Sequence, residues 1–249
     1  MTLFLCEIME ISNVFVIESR RSIMFGGSVM KRTKIALSLM LACVMGLSLT
    51  ACSGGKLSPS KLAKAAKAVG AEEYEPEDFA DEVDDIDSEK DFADYSDGIY
   101  TSGKIDDVKK ALKANYIEVS TKNVKEATVF YFSDFNKKDY SAARCVAVSL
   151  TYEDKESAQD EYDEYAGDIE DEYKEVKSYY DKVSIDDGED GYEYTINSIE
   201  DDSYVSYYGV YLDGKTMFLV WEYSSGNTDL SGMADSICEE MGIIAPSEA

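Results

Sequence analysis

The sequence predicts an α+β domain: an antiparallel sheet of about five strands, packed by one long helix and a C-terminal helix, behind a helical N-terminal segment. Three observations carry this. Runs of β-branched and aromatic residues begin at Ala127 and recur after Gly191. Between them, apolar side chains repeat every three or four residues from about Asp154 to Val183. Asp213-Gly214 then separates two further β runs, a strong two-residue hairpin signal.

The elements follow in order. Ser58-Pro59 supplies an N-cap and an N1 proline for a helix with Leu62, Ala65, Ala66 and Val69 on one side and Gly70 as its stop. Its apolar face is small, so it packs closely or stays exposed. Pro76 opens a second helix carrying Phe79, Val83 and Ile86. Carboxylates crowd Glu72 to Asp97, as on a solvated helix face. Asp94 to Lys104, with its Asp97-Gly98 and Ser102-Gly103 pairs, reads as loop. Ile105, Val108 and Leu112 mark a short helix, and Tyr116–Val119 a brief strand. Strands are expected over 127–132 and 144–152, with a turn at 134–139 between them.

The long helix carries Ala158, Tyr162, Tyr165, Ile169, Tyr173, Val176, Tyr180 and Val183 on one stripe, which reads as core rather than ligand box. Asp186 to Gly191 reads as a turn. Against a calcium-binding EF-hand loop, Asp186, Asp190 and Gly191 fit positions 1, 5 and 6. Gly188 stands where a ligand is needed, however, and Asn197 where the bidentate Glu belongs, so no metal site is assigned. Strands follow over 191–199, 204–212 and 215–223. A turn at Asp213-Gly214 pairs Leu212 with Lys215, Val210 with Met217, Tyr208 with Leu219 and Ser206 with Trp221. That puts Tyr208, Val210, Met217, Leu219 and Trp221 on one face and Val205, Tyr207, Tyr211, Phe218 and Val220 on the other. Both faces are apolar: one is core, and the other is covered by a helix or left as an aromatic surface. A closing helix spans about Asp229 to Ile243, and Pro246–Ala249 is expected to fray. Short strand connections favour helices on one face of the sheet.

Ahead of this lies a stretch of a different kind. Lys31, Arg32 and Lys34 precede an apolar run, Ile35 to Leu49, that ends in Leu49-Thr50-Ala51-Cys52. A basic patch, an apolar run and a small-residue cut site make a secretory signal, and the run is short for a membrane span. The last four residues resemble the lipobox of bacterial prolipoproteins. The resemblance covers some twenty residues. It implies cleavage between Ala51 and Cys52 and a diacylglycerol on the Cys52 thiol, two chains giving durable attachment where one does not. The chain then divides into 1–29, either a mis-assigned start, with translation beginning at Met30, or a long n-region; 30–51, the signal; 52–57, a tether; 58–115, the helical segment; and 116–249, the α+β domain.

Removing the five basic and three acidic residues of 1–51 from the chain's 24 and 51 leaves 19 against 48, a formal charge of −29. Such a field repels nucleic acid and anionic headgroups, so the lipid rather than charge would hold the protein at a membrane. Histidine is absent, which removes Ser-His and Cys-His nucleophiles and histidine-based zinc sites. Cys145 and Cys238 are left to pair outside the cytoplasm or to sit as two buried thiols.

These features predict a lipid-anchored, extracytoplasmic, non-catalytic module with no cofactor. It would sit in the membrane through diacylglyceryl-Cys52, and an envelope protein, peptide or glycan would be its partner. Tyr207, Tyr211 and Phe218 are the candidate ligand-binding surface, because aromatic rings offer flat faces with polar tips. Two other readings stand beside it: a glycan hydrolase working through two carboxyls of different pKa, and an acidic inhibitor masking a basic partner.

Overall fold

Alternation along the strands decides the architecture. In the computed structural model, which describes residues 55–86, 98–114, 119–136, 141–180, 182–202, 204–225 and 232–249, eight strands form one mixed sheet. They are β1 (Glu72–Glu73), β2 (Ile99–Lys104), β3 (Val124–Asn136), β4 (Ser141–Tyr152), β5 (Lys182–Glu189), β6 (Glu193–Asp201), β7 (Tyr204–Asp213) and β8 (Thr216–Ser225). Their spatial order is β1-β2-β3-β4-β8-β7-β6-β5. β1 pairs parallel to β2, and every other pair is antiparallel. Two meanders, β2–β4 and β5–β8, join where β4 meets β8.

The helices are α1 (Pro59–Ala68), α2 (Pro76–Ile86), α3 (Ile105–Val108), α4 (Lys155–Val176) and α5 (Met233–Met241), with short 3-10 turns at Ala111–Lys113 and Pro246–Glu248. They cover both faces of the sheet. Val129, Tyr131, Val148, Leu150, Val210 and Leu219 pack with Phe79 and Val83 of α2, Val108 of α3 and Ala158, Tyr162 and Ile169 of α4. The alternate residues Phe130, Phe132, Ala147, Tyr211, Phe218 and Val220 pack under Leu62, Ala65 and Ala66 of α1 and Ala234, Ile237 and Met241 of α5. The expected one-sided cover is therefore corrected to a three-layer arrangement. A sheet apolar on both faces needs two helical layers.

The N-terminal segment is part of this sheet rather than a helical lobe. Ile99–Lys104, expected as loop, is β2: Gly98, at φ 74°, turns the chain into it, and Ser102 Oγ lies 2.9 Å from Thr128 Oγ1 of β3. Two hydroxyls fasten α1 to the sheet, with Thr128 Oγ1 donating to the Pro59 carbonyl at 2.8 Å and Ser149 Oγ donating to that of Leu57. Gly70 (φ 94°) and Gly242 (φ 71°) end α1 and α5 in the same way. Ala71 N–H donates to Ala66 O and Gly70 N–H to Lys67 O; Ile243 N–H donates to Cys238 O and Gly242 N–H to Glu239 O. Both are Schellman stops.

Other boundaries move. α4 ends at Val176, and Val183 belongs to β5, which also takes in Asp186 to Glu189, expected as a turn. β3 runs through Asp134–Asn136. The β7–β8 loop is Gly214-Lys215, with Gly214 at φ 64° and Lys215 at negative φ, the sign pattern of a type II′ turn. Leu212 consequently faces Met217, Val210 faces Leu219 and Tyr208 faces Trp221, two residues away from the expected register. A shift of two leaves every side chain on its expected face. The C-terminal tail is docked: Tyr211 Oη donates to Ile244 O and Ile244 N–H donates to Tyr192 Oη, each at 2.9 Å. Residues 1–54, with the signal, Ala51 and Cys52, lie outside the described residues, as do most of the strand expected at Tyr116–Val119 and the start of the closing helix.

Candidate functional site

The expected binding surface is not a surface. Tyr207 is 8% exposed, and Tyr211 and Phe218 are fully buried. Tyr211 and Phe218 lie beneath α1, α5 and the docked tail, because the second apolar face of the hairpin is covered by helices. Cys145 and Cys238 share that layer as free, buried thiols, and no disulfide joins them. Burial pushes both thiols up, so neither is a nucleophile at neutral pH. The residues that suggested a calcium loop are committed to sheet pairing: Asp186 faces Ile196, Asp187 faces Thr195 and Gly188 faces Tyr194. Tyr194 Oη donates to Asp186 Oδ2 at 3.1 Å.

Open aromatic surface lies on the opposite face, at the end of the sheet where β7 starts and β8 finishes. Ile169 is the last fully buried residue of α4, which runs on to Val176 with Glu172, Tyr173 and Val176 half-buried. Trp221 and Tyr223, two apart on β8, stack with centroids 6.3 Å apart and planes at 16°. Tyr204 of β7 meets Tyr223 edge-on at 5.2 Å. Tyr180, in the connection after α4, stacks on Tyr204 at 5.8 Å and 21°. All four rings are half-buried, and the neighbouring Tyr179 is 78% exposed. Offset and edge-on pairs hold such rings in fixed orientations.

Glu172 of α4 belongs to this ledge. Its charge acts on the hydroxyls of both Tyr204 and Tyr208, which burial already pushes up. Burial, and then the neighbouring Glu175, pushes the Glu172 carboxyl up to about 7. Asp168, one turn earlier, is raised for the same leading reason, with Glu164 adding to it. Among the described residues no lysine or arginine forms an ion pair with Glu172.

A second feature is a cleft of about 440 Å³ between α4 and the β5–β6 hairpin, lined by Asp163, Glu170, Asp187, Glu189 and Glu193, with Gly167 leaving the helix side bare. None of the raised carboxyls, Asp168, Glu172 and Glu222, is among its lining residues. Among the described residues no cluster of three or more potential ligands is arranged to hold a metal ion.

The opposite end of the sheet receives the chain from its N-terminal side. Leu57 is fully buried. Gly55 lies against the Asp213 carboxylate, which would have to shift to admit a Cβ there. Lys56 Nζ is 3.8 Å from Asp190 and 5.0 Å from the centre of the Tyr192 ring. The ledge and the point where Gly55–Leu57 enter the domain thus lie at opposite ends of β7, about 30 Å apart at the rise of a strand.

The sequence pattern missed the ledge for an identifiable reason. Tyr208 and Trp221 lie on the face that carries it and pack against its core, as their alternation implies, but Tyr180, which extends the helical stripe in the sequence, lies beyond the end of α4. One signal was available: the inward positions of β8 continue past Leu219 as Trp221 and Tyr223, rings with polar tips where a closed core favours aliphatics. No family model and no curated protein matches the chain. Among solved structures, the extracellular domain of PknH from Mycobacterium tuberculosis is similar over 49% of this chain and 67% of that one, at 9% identity and a TM-score of 0.28. A likeness at that level carries no argument about fold or function.

Proposed function

We propose that this chain is a lipid-anchored module facing outside the cytoplasm, which binds an envelope component at its aromatic ledge without catalysing a reaction. The observation that carries the reading is the position of Leu49-Thr50-Ala51-Cys52, whose Cys52 stands five residues ahead of Leu57, the first buried core side chain among the described residues. Residues 53–56 would then be the whole tether, reaching at most about 14 Å when extended. The ledge lies at the other end of the domain, turned toward whatever stands off the membrane. The acidic turns near the attachment point, with Asp190 and Asp213, would be repelled by anionic headgroups and favour that upright pose. The hydrolase alternative needs a cleft around a carboxyl of raised pKa. Here the cleft and Glu172 are separate, which favours binding over catalysis.

Two variants test the reading in the producing cell. Cys52→Ser should move the protein out of the membrane fraction. Tyr223→Ala should leave it in the membrane but reduce the envelope material that co-purifies with it. Membrane residence that survives Cys52→Ser would contradict the anchor, and unchanged co-purification would contradict the ledge.

A further inference from the structure

We propose that the ledge formed by Tyr180, Tyr204, Trp221, Tyr223 and Glu172 takes a ligand bearing an alkylammonium group. This rests on the reading of the ledge as the binding surface and adds the chemistry of what it binds. Three observations lead there. The ring faces carry the negative side of an aromatic quadrupole, and four half-buried rings are held in fixed contact, a surface suited to an organic cation. A carboxyl stands beside them with no lysine or arginine ion-paired to it among the described residues. From Cys52 onward the chain carries a formal −29, so a cation is drawn in where an anionic polymer is turned away.

The ligand supplies the positive charge that Glu172 lacks. An ammonium on the ledge would favour the ionised carboxylate, so binding and deprotonation reinforce each other. The groups bearing on this equilibrium are Asp168 and Glu175 on α4, the hydroxyls of Tyr204 and Tyr208 on β7, Tyr180 in the α4–β5 connection and Tyr223 on β8. Arg144 of β4 lies opposite Tyr223 in register. Burial raises the hydroxyls of Tyr204 and Tyr208, while Glu172, at about 7, changes charge within the neutral range.

Trp221 is the chain's single tryptophan, so its fluorescence reports the ledge alone. The probes are choline and 3,3-dimethyl-1-butanol, a neutral molecule of nearly the same shape. Choline should shift the Trp221 emission saturably. Its affinity should rise about tenfold between pH 6 and pH 8, as the ionised share of a group titrating near 7 grows from about a tenth to nine tenths. Glu172→Gln, a conservative change that keeps the surface, should remove the pH dependence and weaken choline at pH 8 to below the wild type's pH 6 level. Equal binding of the neutral probe would overturn the cation preference while leaving the ledge as a binding surface. Choline binding that Glu172→Gln leaves unchanged would overturn the role of the carboxyl. No response to either probe would overturn the proposal, and the anchoring and co-purification tests would then judge the broader reading separately.

Discussion

Glu172 and Glu222 are both half-hidden or hidden carboxyls, yet their surroundings give them opposite uses. Glu172 is partly buried beside the like charge of Glu175, with no lysine or arginine ion-paired to it among the described residues. Its folded pKa, about 7, stands above the ordinary 4.5, so the folded state holds the proton more tightly. Stability therefore falls as pH rises from 4.5 through 7, and the penalty is complete above that window. Glu172→Gln should be the more stable protein at pH 8, by about 1–2 kcal/mol allowing for its partial exposure, and should show no advantage at pH 4. Urea denaturation at the two pH values checks this. Glu222 of β8 is 1% exposed and accepts backbone N–H groups from Gly232 at 2.9 Å and Ala234 at 2.6 Å. It caps α5 from a distant strand, since the residue in the cap position is Gly232, which has no side chain to do so. Burial still raises its carboxyl, and the N–H bonds oppose that rise. Glu222→Ala strands those donors and should cost about 2–3 kcal/mol in urea denaturation, with α5 the first element to lose amide protection.

At the scale of elements, much was legible wherever one period dominated. α1 starts at Pro59 and stops at Gly70, as the residues demand, although Ser58 holds the N-cap position without a side-chain capping bond. The β7–β8 hairpin and both of its faces were readable, although the loop proved to be Gly214-Lys215 and shifted the register by two. Legibility failed where two periods overlap or where charge disguises a strand. Val183 lies three residues after Tyr180 and two before Ile185, so it extends a helical stripe and begins a strand equally well. Asp186-Asp187-Gly188-Glu189 looks like a turn but forms the edge strand, where charged side chains are tolerated and discourage further pairing. Two glycines separate conformational need from mere presence. Gly70 has open space around it but a φ of 94°, so Gly70→Ala should lose about 1 kcal/mol of stability. Gly167 lies within α4 with equally open space and no such φ, so Gly167→Ala should gain about 0.5–1 kcal/mol. Thermal unfolding of the pair should give shifts of opposite sign.

Across the whole molecule, covering the second face of the sheet governs everything else. It turned the expected ligand surface, Tyr207, Tyr211 and Phe218, into core and placed the accessible rings where α4 runs out. No one-dimensional pattern carries that choice, because it depends on where α1 and α5 dock on the sheet. The covering also fixes which end of the domain receives the chain, through Leu57 and its bond from Ser149. A lipid on Cys52 would thereby hold the acidic turns nearest the membrane and the ledge farthest from it. The most direct measurement is the intact mass and N-terminal peptide mass of the protein extracted with detergent from the membranes of its own cell. The account predicts a chain beginning at Cys52 and carrying a diacylglyceryl group on its thiol. A mature chain that retains residues ahead of Cys52, or begins there with an unmodified thiol, would contradict it.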